Sequence, residues 1–277
     1  MFMAMEKTVI NFCNVLNSSL SVRVHAHWEP IADATFNMHN DSPQLAEMFD
    51  LLPCYPVKEY GAEAFKAFLP PSTVAVGDVW ALDANRIVPF LYQFHPGARA
   101  DLGNGEAGAY ACLRACSSDY AEITFRIHAE FTLGSDGHQE PQPENAEEGW
   151  ERESEAKFIP SQYVGQVLVN LKKGTVRSFS LALPVRNSNV DINACGGADM
   201  VFVPRMELLA TDETDQDEMA WETVITAEAA RRSLELKFYP FAKIDWLPIE
   251  RAVERAKATH RPIHAILVSG CLDDESC

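Results

Sequence analysis

The sequence predicts an α+β protein: a β-rich antiparallel domain followed by the opening of an α/β segment. Three observations carry this assignment. Residues 121–131 place Ile123, Phe125, Ile127, Ala129 and Phe131 on one face and polar residues on the other, which is period two over a full strand. Residues 164–171 and 175–183 read as two more strands, with hairpin-turn chemistry in Lys172-Lys173-Gly174 between them. From Thr226 onward the apolar spacing lengthens to the helical period.

In chain order, residues 1–60 hold apolar clusters at 9–20 and 45–52 between turns rich in Asn, Asp and Pro, and no element is assigned there. A fourth strand is predicted at 200–209. Two acidic stretches interrupt the β region. Residues 134–155 carry Gly, Pro, Asn and many glutamates with almost no apolar side chain, too little surface to offset ordering entropy, so a mobile loop is expected. Residues 211–218 set carboxylates close together, which invites a calcium reading. An EF-hand loop needs a central Gly and a terminal Glu at fixed offsets, and neither is in place, so a solvated linker is preferred. Helices follow at Ala227–Phe238 and at 248–259. Tyr239-Pro240-Phe241 closes the first, and the second opens on Pro248 with Ile249, Ala252, Val253 and Ala256 as its apolar stripe. A turn at Pro262 leads into 263–268, an apolar run expected to be a buried strand, and then into an acidic loop ending Ser276-Cys277.

Composition narrows the function classes. With 277 residues, 47% of them hydrophobic and 23% charged, the chain has length for one large domain or two modest ones. A formal charge of −17 repels phosphate backbones and acidic membrane surfaces, so neither nucleic acid nor membrane is expected as a partner. No apolar run approaches the roughly 20 residues that span a bilayer. Residues 1–10 lack the charged-then-apolar pattern of a secretory leader, so a soluble, cytoplasmic chain is expected.

Seven scattered cysteines, an odd number, suggest a reducing compartment or a reactive thiol. There is no Cys-x-x-Cys pair. Cys112 and Cys116 are separated by three residues with no histidine near them, which is poor zinc spacing and suits buried structural thiols. No metal and no separate cofactor is expected. His128, between Arg126 and Glu130, suits a structural hydrogen-bond network better than catalysis. His260 and His264 are four apart, but Pro262 prevents helical presentation of both to one ion. Cys195-Gly196-Gly197 reads as a turn.

Several islands in fixed order identify a family. Ala229-Ala230-Arg231-Arg232, Tyr239-Pro240-Phe241-Ala242-Lys243, Leu247-Pro248, Arg255-Ala256-Lys257-Ala258 and Ile266-Leu267-Val268-Ser269-Gly270-Cys271-Leu272-Asp273-Asp274-Glu275-Ser276-Cys277 resemble selenoprotein N. Upstream, Phe68-Leu69-Pro70-Pro71, Phe94-His95-Pro96, the run from Phe125 to Phe131, Asn189-Val190-Asp191 and Met206-Glu207-Leu208 match the same family, from about residue 65 to the end.

The resemblance implies three stretches: an unassigned segment at 1–64, a β-rich selenoprotein N-like domain at 65–220 with the acidic loop 134–155, and at 221–277 the start of a truncated thioredoxin-like domain. It implies a thiol or selenol oxidoreductase with a Ser-Cys-selenocysteine-Gly site, in which Cys277 matches the family cysteine. Selenium, as selenocysteine, would follow it, encoded by UGA; the sequence end then fits a UGA misread as a stop, a deliberately shortened chain or a genuine stop that leaves it redox-dead. Cys271, in the same loop, is the candidate resolving thiol. The implied partners are a disulfide or thiol protein, or a reductant. Asp273, Asp274 and Glu275 beside Cys277 disfavour a thiolate, a field that a readily ionised selenol tolerates, and they also suit a helix N-terminus. Vertebrate relatives reside in the endoplasmic reticulum with a membrane anchor and an EF-hand and act on calcium pumping. Neither feature is visible here, and calcium-pump regulation is not carried over. The rival expectation is a non-enzymatic protein-binding or scaffold module built on the β-rich domain.

Overall fold

A computed structural model describes residues 9–12, 15–29, 53–99, 108–133, 156–184, 189–194, 197–203, 205–212, 219–244 and 246–265. In chain order the strands are β1 (Val9–Ile10), β2 (Ser21–Trp28), β3 (Val57–Gly61), β4 (Val74–Ala75), β5 (Val79–Ala81), β6 (Ala98–Arg99), β7 (Ala109–Cys116) and β8 (Tyr120–Ile127). They continue with β9 (Glu130–Leu133), β10 (Ala156–Pro160), β11 (Tyr163–Asn170), β12 (Thr175–Ala182), β13 (Asn189–Ala194), β14 (Gly197–Phe202), β15 (Met206–Thr211) and β16 (Thr223–Val224). Three α-helices, α1 (Ala84–Leu91), α2 (Ala227–Phe238) and α3 (Ile249–Thr259), and two short 3-10 helices, Ala62–Ala67 and Pro240–Lys243, complete the described elements.

The strands form a nine-stranded sheet ordered β16-β7-β8-β11-β12-β15-β2-β3, with β5 also on β7, a five-stranded sheet ordered β14-β13-β10-β9-β6, and the small β1–β4 pair. All pairings are antiparallel. Bent strands link the two larger sheets. β8 and β11 pair in the larger one, while their continuations β9 and β10 pair in the smaller. β12 and β15 repeat the arrangement with β13 and β14. Strands that switch sheets in this way make the corners of an antiparallel sandwich.

The strand predicted at 121–131 is therefore two strands, broken at His128-Ala129, where the His128 N–H donates to the Gly108 carbonyl at 2.8 Å. The alternation survives the break because both sheets bury the same side. Ile123, Phe125, Ile127, Ala129 and Phe131 all lie in one core. The run predicted at 200–209 divides likewise into β14 and β15. The turn at Lys172-Lys173-Gly174 stands as expected, with Gly174 at φ +70° and its N–H on the Asn170 carbonyl at 2.9 Å.

The stretch left unassigned by the sequence supplies β2 and β3 to the same sheet. In β2, Val24, Ala26 and Trp28 are buried while Arg23, His25 and His27 are exposed, a period-two signal present in the sequence. Residues 53–99 cover the inner face of the sheet with aromatic rings. Phe68 lies 4.5 Å from Phe125 and Tyr60 stacks on Phe90 at 4.5 Å, while Trp28 and Phe158 meet at 5.3 Å under the smaller sheet. The run expected as a strand at 263–268 departs from its reading. Ile263 to Ala265 are exposed and belong to no strand, since no described strand lies beside them to complete a ladder, and residues 266–268 fall outside the described ones.

Gly165 sits opposite Phe125 in the β8–β11 register, and a Cβ there would overlap the Phe125 ring and the Ser180 carbonyl oxygen. Alanine normally improves a strand interior, but here it overpacks the core. Gly165→Ala should lower stability by about 1–3 kcal/mol, read as a lower urea midpoint at unchanged slope.

Candidate functional site

The polar side of the strand predicted at 121–131 is buried as well: Glu130 in β9 of the smaller sheet, and Glu122 and Arg126 on the outer face of the large one. Helix α2 covers part of that face. Thr226 caps it, its hydroxyl accepting the Ala229 N–H at 3.1 Å, and Pro240 prevents its continuation. Its apolar stripe, Ala230, Leu234 and Phe238, packs on Tyr110 and Cys112, with Phe238 edge-on to Tyr110 at 5.4 Å. Burying Leu234 and Phe238 contributes roughly 1.5–3 kcal/mol each.

Beside this stripe lies a charged cluster. Arg126 of β8 is 1% exposed, and its Nε donates to Gln162 Oε1 at the bend between β10 and β11. Gln162 Nε2 donates to the Tyr239 hydroxyl at 3.1 Å. Arg126 Nη1 lies 3.9 Å from Glu235 Oε1, and its guanidinium sits 5.4 Å over Phe238 and 5.5 Å over Tyr239. Glu235, also 1% exposed, further accepts from Arg231 and from Arg232 Nη1, the latter at 3.0 Å. A second tie holds the entry to the helix. Arg114 makes a two-pronged contact to Glu122 and donates to the Ile225 carbonyl at 3.4 Å. Arg126 and Glu235 are compensated within this cluster and screened from water, so they suit placement rather than acid–base chemistry.

The predicted redox residues Cys277 and Cys271 lie outside the described residues, as does Cys195. Cys54 is an exposed free thiol, while Cys112 and Cys116 are free and buried, as their spacing suggested. Burial, reinforced by Asp78, pushes the Cys112 thiol up to about 11. Burial and Glu222 also raise Cys116, against an opposing hydrogen bond with Thr223. Glu130 pairs with Lys157 at 2.9 Å, and the His128 backbone rather than its ring supports the corner. His260 ends α3 in the left-handed region at φ 52°. Among the described residues, no group of three or more His, Cys, Asp or Glu is placed to hold a metal ion. No described helix is long and apolar enough to cross a membrane.

The path beyond α2 is apolar and uncovered. Ile244, Trp246, Ile249 and Ile263 are all exposed, and α3 has no buried residue. The stripe Ile249, Ala252, Val253 and Ala256 forms as expected, but meets no other described element closely enough to be buried.

Fold and junction together define an α+β protein whose bent antiparallel sandwich carries a helical carboxy-terminal segment on one sheet face. No family model matches the chain, and no solved structure does. Among curated proteins it is 31% identical to selenoprotein N of Homo sapiens over 280 aligned residues, 80% of this chain and 45% of that protein. The zebrafish (Danio rerio) and mouse (Mus musculus) selenoprotein N match at 32% and 30%, over 78% and 80% of this chain and 47% and 48% of theirs. The chain belongs to the selenoprotein N family. It spans about half the length of the curated relatives it matches.

Two outcomes follow from the junction. Glu235→Ala leaves Arg126 buried without its carboxylate and should cost about 3–5 kcal/mol in urea unfolding, whereas the paired replacement of Arg126 by Met and Glu235 by Leu should recover most of that loss. Native alkylation near neutral pH should spare Cys112 and Cys116, whose reactivity rises about tenfold per pH unit as Cys112 approaches its raised value, while Cys54 reacts at once.

Proposed function

We propose that this chain forms part of a thiol/selenol oxidoreductase of the selenoprotein N type, with Cys277 as the cysteine of its redox pair and Cys271 as a second thiol in the same loop. The observation that carries the reading is the family membership, joined to the terminal Leu272-Asp273-Asp274-Glu275-Ser276-Cys277 run. Supporting it, Cys112 and Cys116 are poor nucleophiles by burial, so redox work falls to cysteines elsewhere in the chain.

On this reading, selenium in a selenocysteine next to Cys277 supplies the nucleophile that opens a disulfide or peroxide bond. The Cys277 thiolate then closes a selenenylsulfide, releasing the second product, and two electrons from an external dithiol restore the pair. Its partners are a disulfide or peroxide substrate and a thiol reductant. The acidic residues before Cys277 disfavour a thiolate there, so the more readily ionised selenol attacks first and Cys277 follows as the resolving partner. The uncovered stripe of α3 would then pack within a thioredoxin-like unit.

The test is expression of the whole reading frame with selenium supplied. Mass spectrometry of the oxidised protein should find Cys277 joined to the following residue, and Cys277→Ser should lower dithiol-driven disulfide or peroxide reduction by roughly 10³-fold. Equal rates in the two proteins would overturn the assignment.

A further inference from the structure

The large sheet splits at one end. The β2–β15 ladder runs from Met206↔Trp28 to Leu209↔His25 and stops. β2 continues with β3 as partner, as far as Ser21↔Gly61, and β15 continues with β12, as far as Ser178↔Thr211. The strands therefore diverge, and between them lies a cleft of about 450 Å³.

Strand geometry gives the walls of this cleft their chemistry. Successive residues of an antiparallel strand direct their backbone N–H and C=O to opposite neighbours. The Ala26 N–H donates to the Pro56 carbonyl, so even-numbered residues of β2 face β3 and Arg23 faces the cleft. The Asp212 N–H donates to the Arg177 carbonyl and the Leu183 N–H to the Met206 carbonyl, so even-numbered residues of this strand face β12 and Thr211 faces the cleft. Two strand edges thus confront each other across the gap with no ladder pair joining Arg23 to Thr211. Of the lining, Ala62 and Val176 belong to the core and Val22 packs against it, so these three form the apolar floor, with Ser21, His25, Thr175 and Asp212 as polar neighbours.

A residue of extended chain occupies roughly 160 Å³ within a sheet, from a 3.3 Å rise, 4.8 Å strand spacing and 10 Å layer spacing, so the cleft matches about three residues. We infer that this cleft is a strand-addition site. It takes a short extended peptide segment from a partner protein, bonded through its backbone to Arg23 on one side and Thr211 on the other, with a small β-branched or alanine side chain on the Val22–Ala62–Val176 floor. Main-chain pairing supplies the affinity, and the shallow floor excludes aromatic and long side chains at that position. This proposal is independent of the redox reading and uses no cysteine.

The probe is the alternating peptide acetyl-Thr-Val-Ser-Val-Thr-amide, added to the whole chain and followed by amide hydrogen exchange. At about ten times its dissociation constant, the Arg23 and Thr211 amides should exchange roughly tenfold more slowly, with the His25 and Leu209 amides unchanged. The same peptide N-methylated at its central residues should give no slowing. Thr211→Pro, at the end of the strand, should abolish peptide binding while leaving the circular dichroism unchanged. Should that variant not fold, the N-methylated peptide still decides. Arg23 and Thr211 amides already protected without peptide, slowing by inorganic phosphate in place of peptide, or equal slowing by the methylated peptide would each overturn the proposal.

Discussion

The placement of α2 on the sheet depends on one buried contact, the meeting of Arg126 and Glu235 beneath it. The aliphatic and aromatic stripe of that helix provides most of the adhesion. A stripe alone, however, could slide along the sheet by a turn with little loss. The ion pair cannot, because moving Glu235 away leaves Arg126 without its carboxylate in a site that water does not reach, whereas Glu235 keeps Arg231 and Arg232 on its own helix. Gln162 and Tyr239 extend the constraint, tying the end of the helix to the corner where β10 becomes β11. Apolar burial therefore accounts for attachment, and the charged cluster for its register.

The corner is itself a product of the bent strands. Because the two sheets share strands that pass from one to the other, their inner faces close on a single aromatic core. That closure leaves the opposite face of the large sheet open. α2 occupies the β7–β8 end of it, and the splayed β2–β15 end presents the cleft. One sheet thus holds α2 at one side and offers backbone edges at the other.

Much of this was legible in the residues. Helices α2 and α3, the Lys172-Lys173-Gly174 hairpin and the inward side of β8 follow from local spacing and turn chemistry, because those signals report propensities that tertiary packing did not override, whereas α1, with Pro89 inside it, was not read from the sequence. The break at His128-Ala129 was not legible, since alternation records which side is buried and not which strand is the neighbour. Nor was the burial of Arg126 and Glu122, because their face is polar in sequence and is covered only by a helix a hundred residues further on. A hint lay in the Arg231, Arg232 and Glu235 spacing, where two cations converge on one carboxylate. β2 displayed its alternation openly, but the turn-rich residues around it masked its place in the sheet. Of the redox site, the identity of Cys277 and Cys271 rests on the family resemblance, since both fall outside the described residues.

The central claim is that α2 and the sandwich form one cooperative unit through the Arg126–Glu235 contact. Native-state hydrogen exchange tests it most directly. If the claim holds, the amides of Leu234 to Phe238 will open with the same free energy as the Ile123 and Phe125 amides in β8, and with the same denaturant dependence. Exchange of the helix several kcal/mol more readily than the strand, independent of denaturant, would show that α2 frays on its own and would contradict the account.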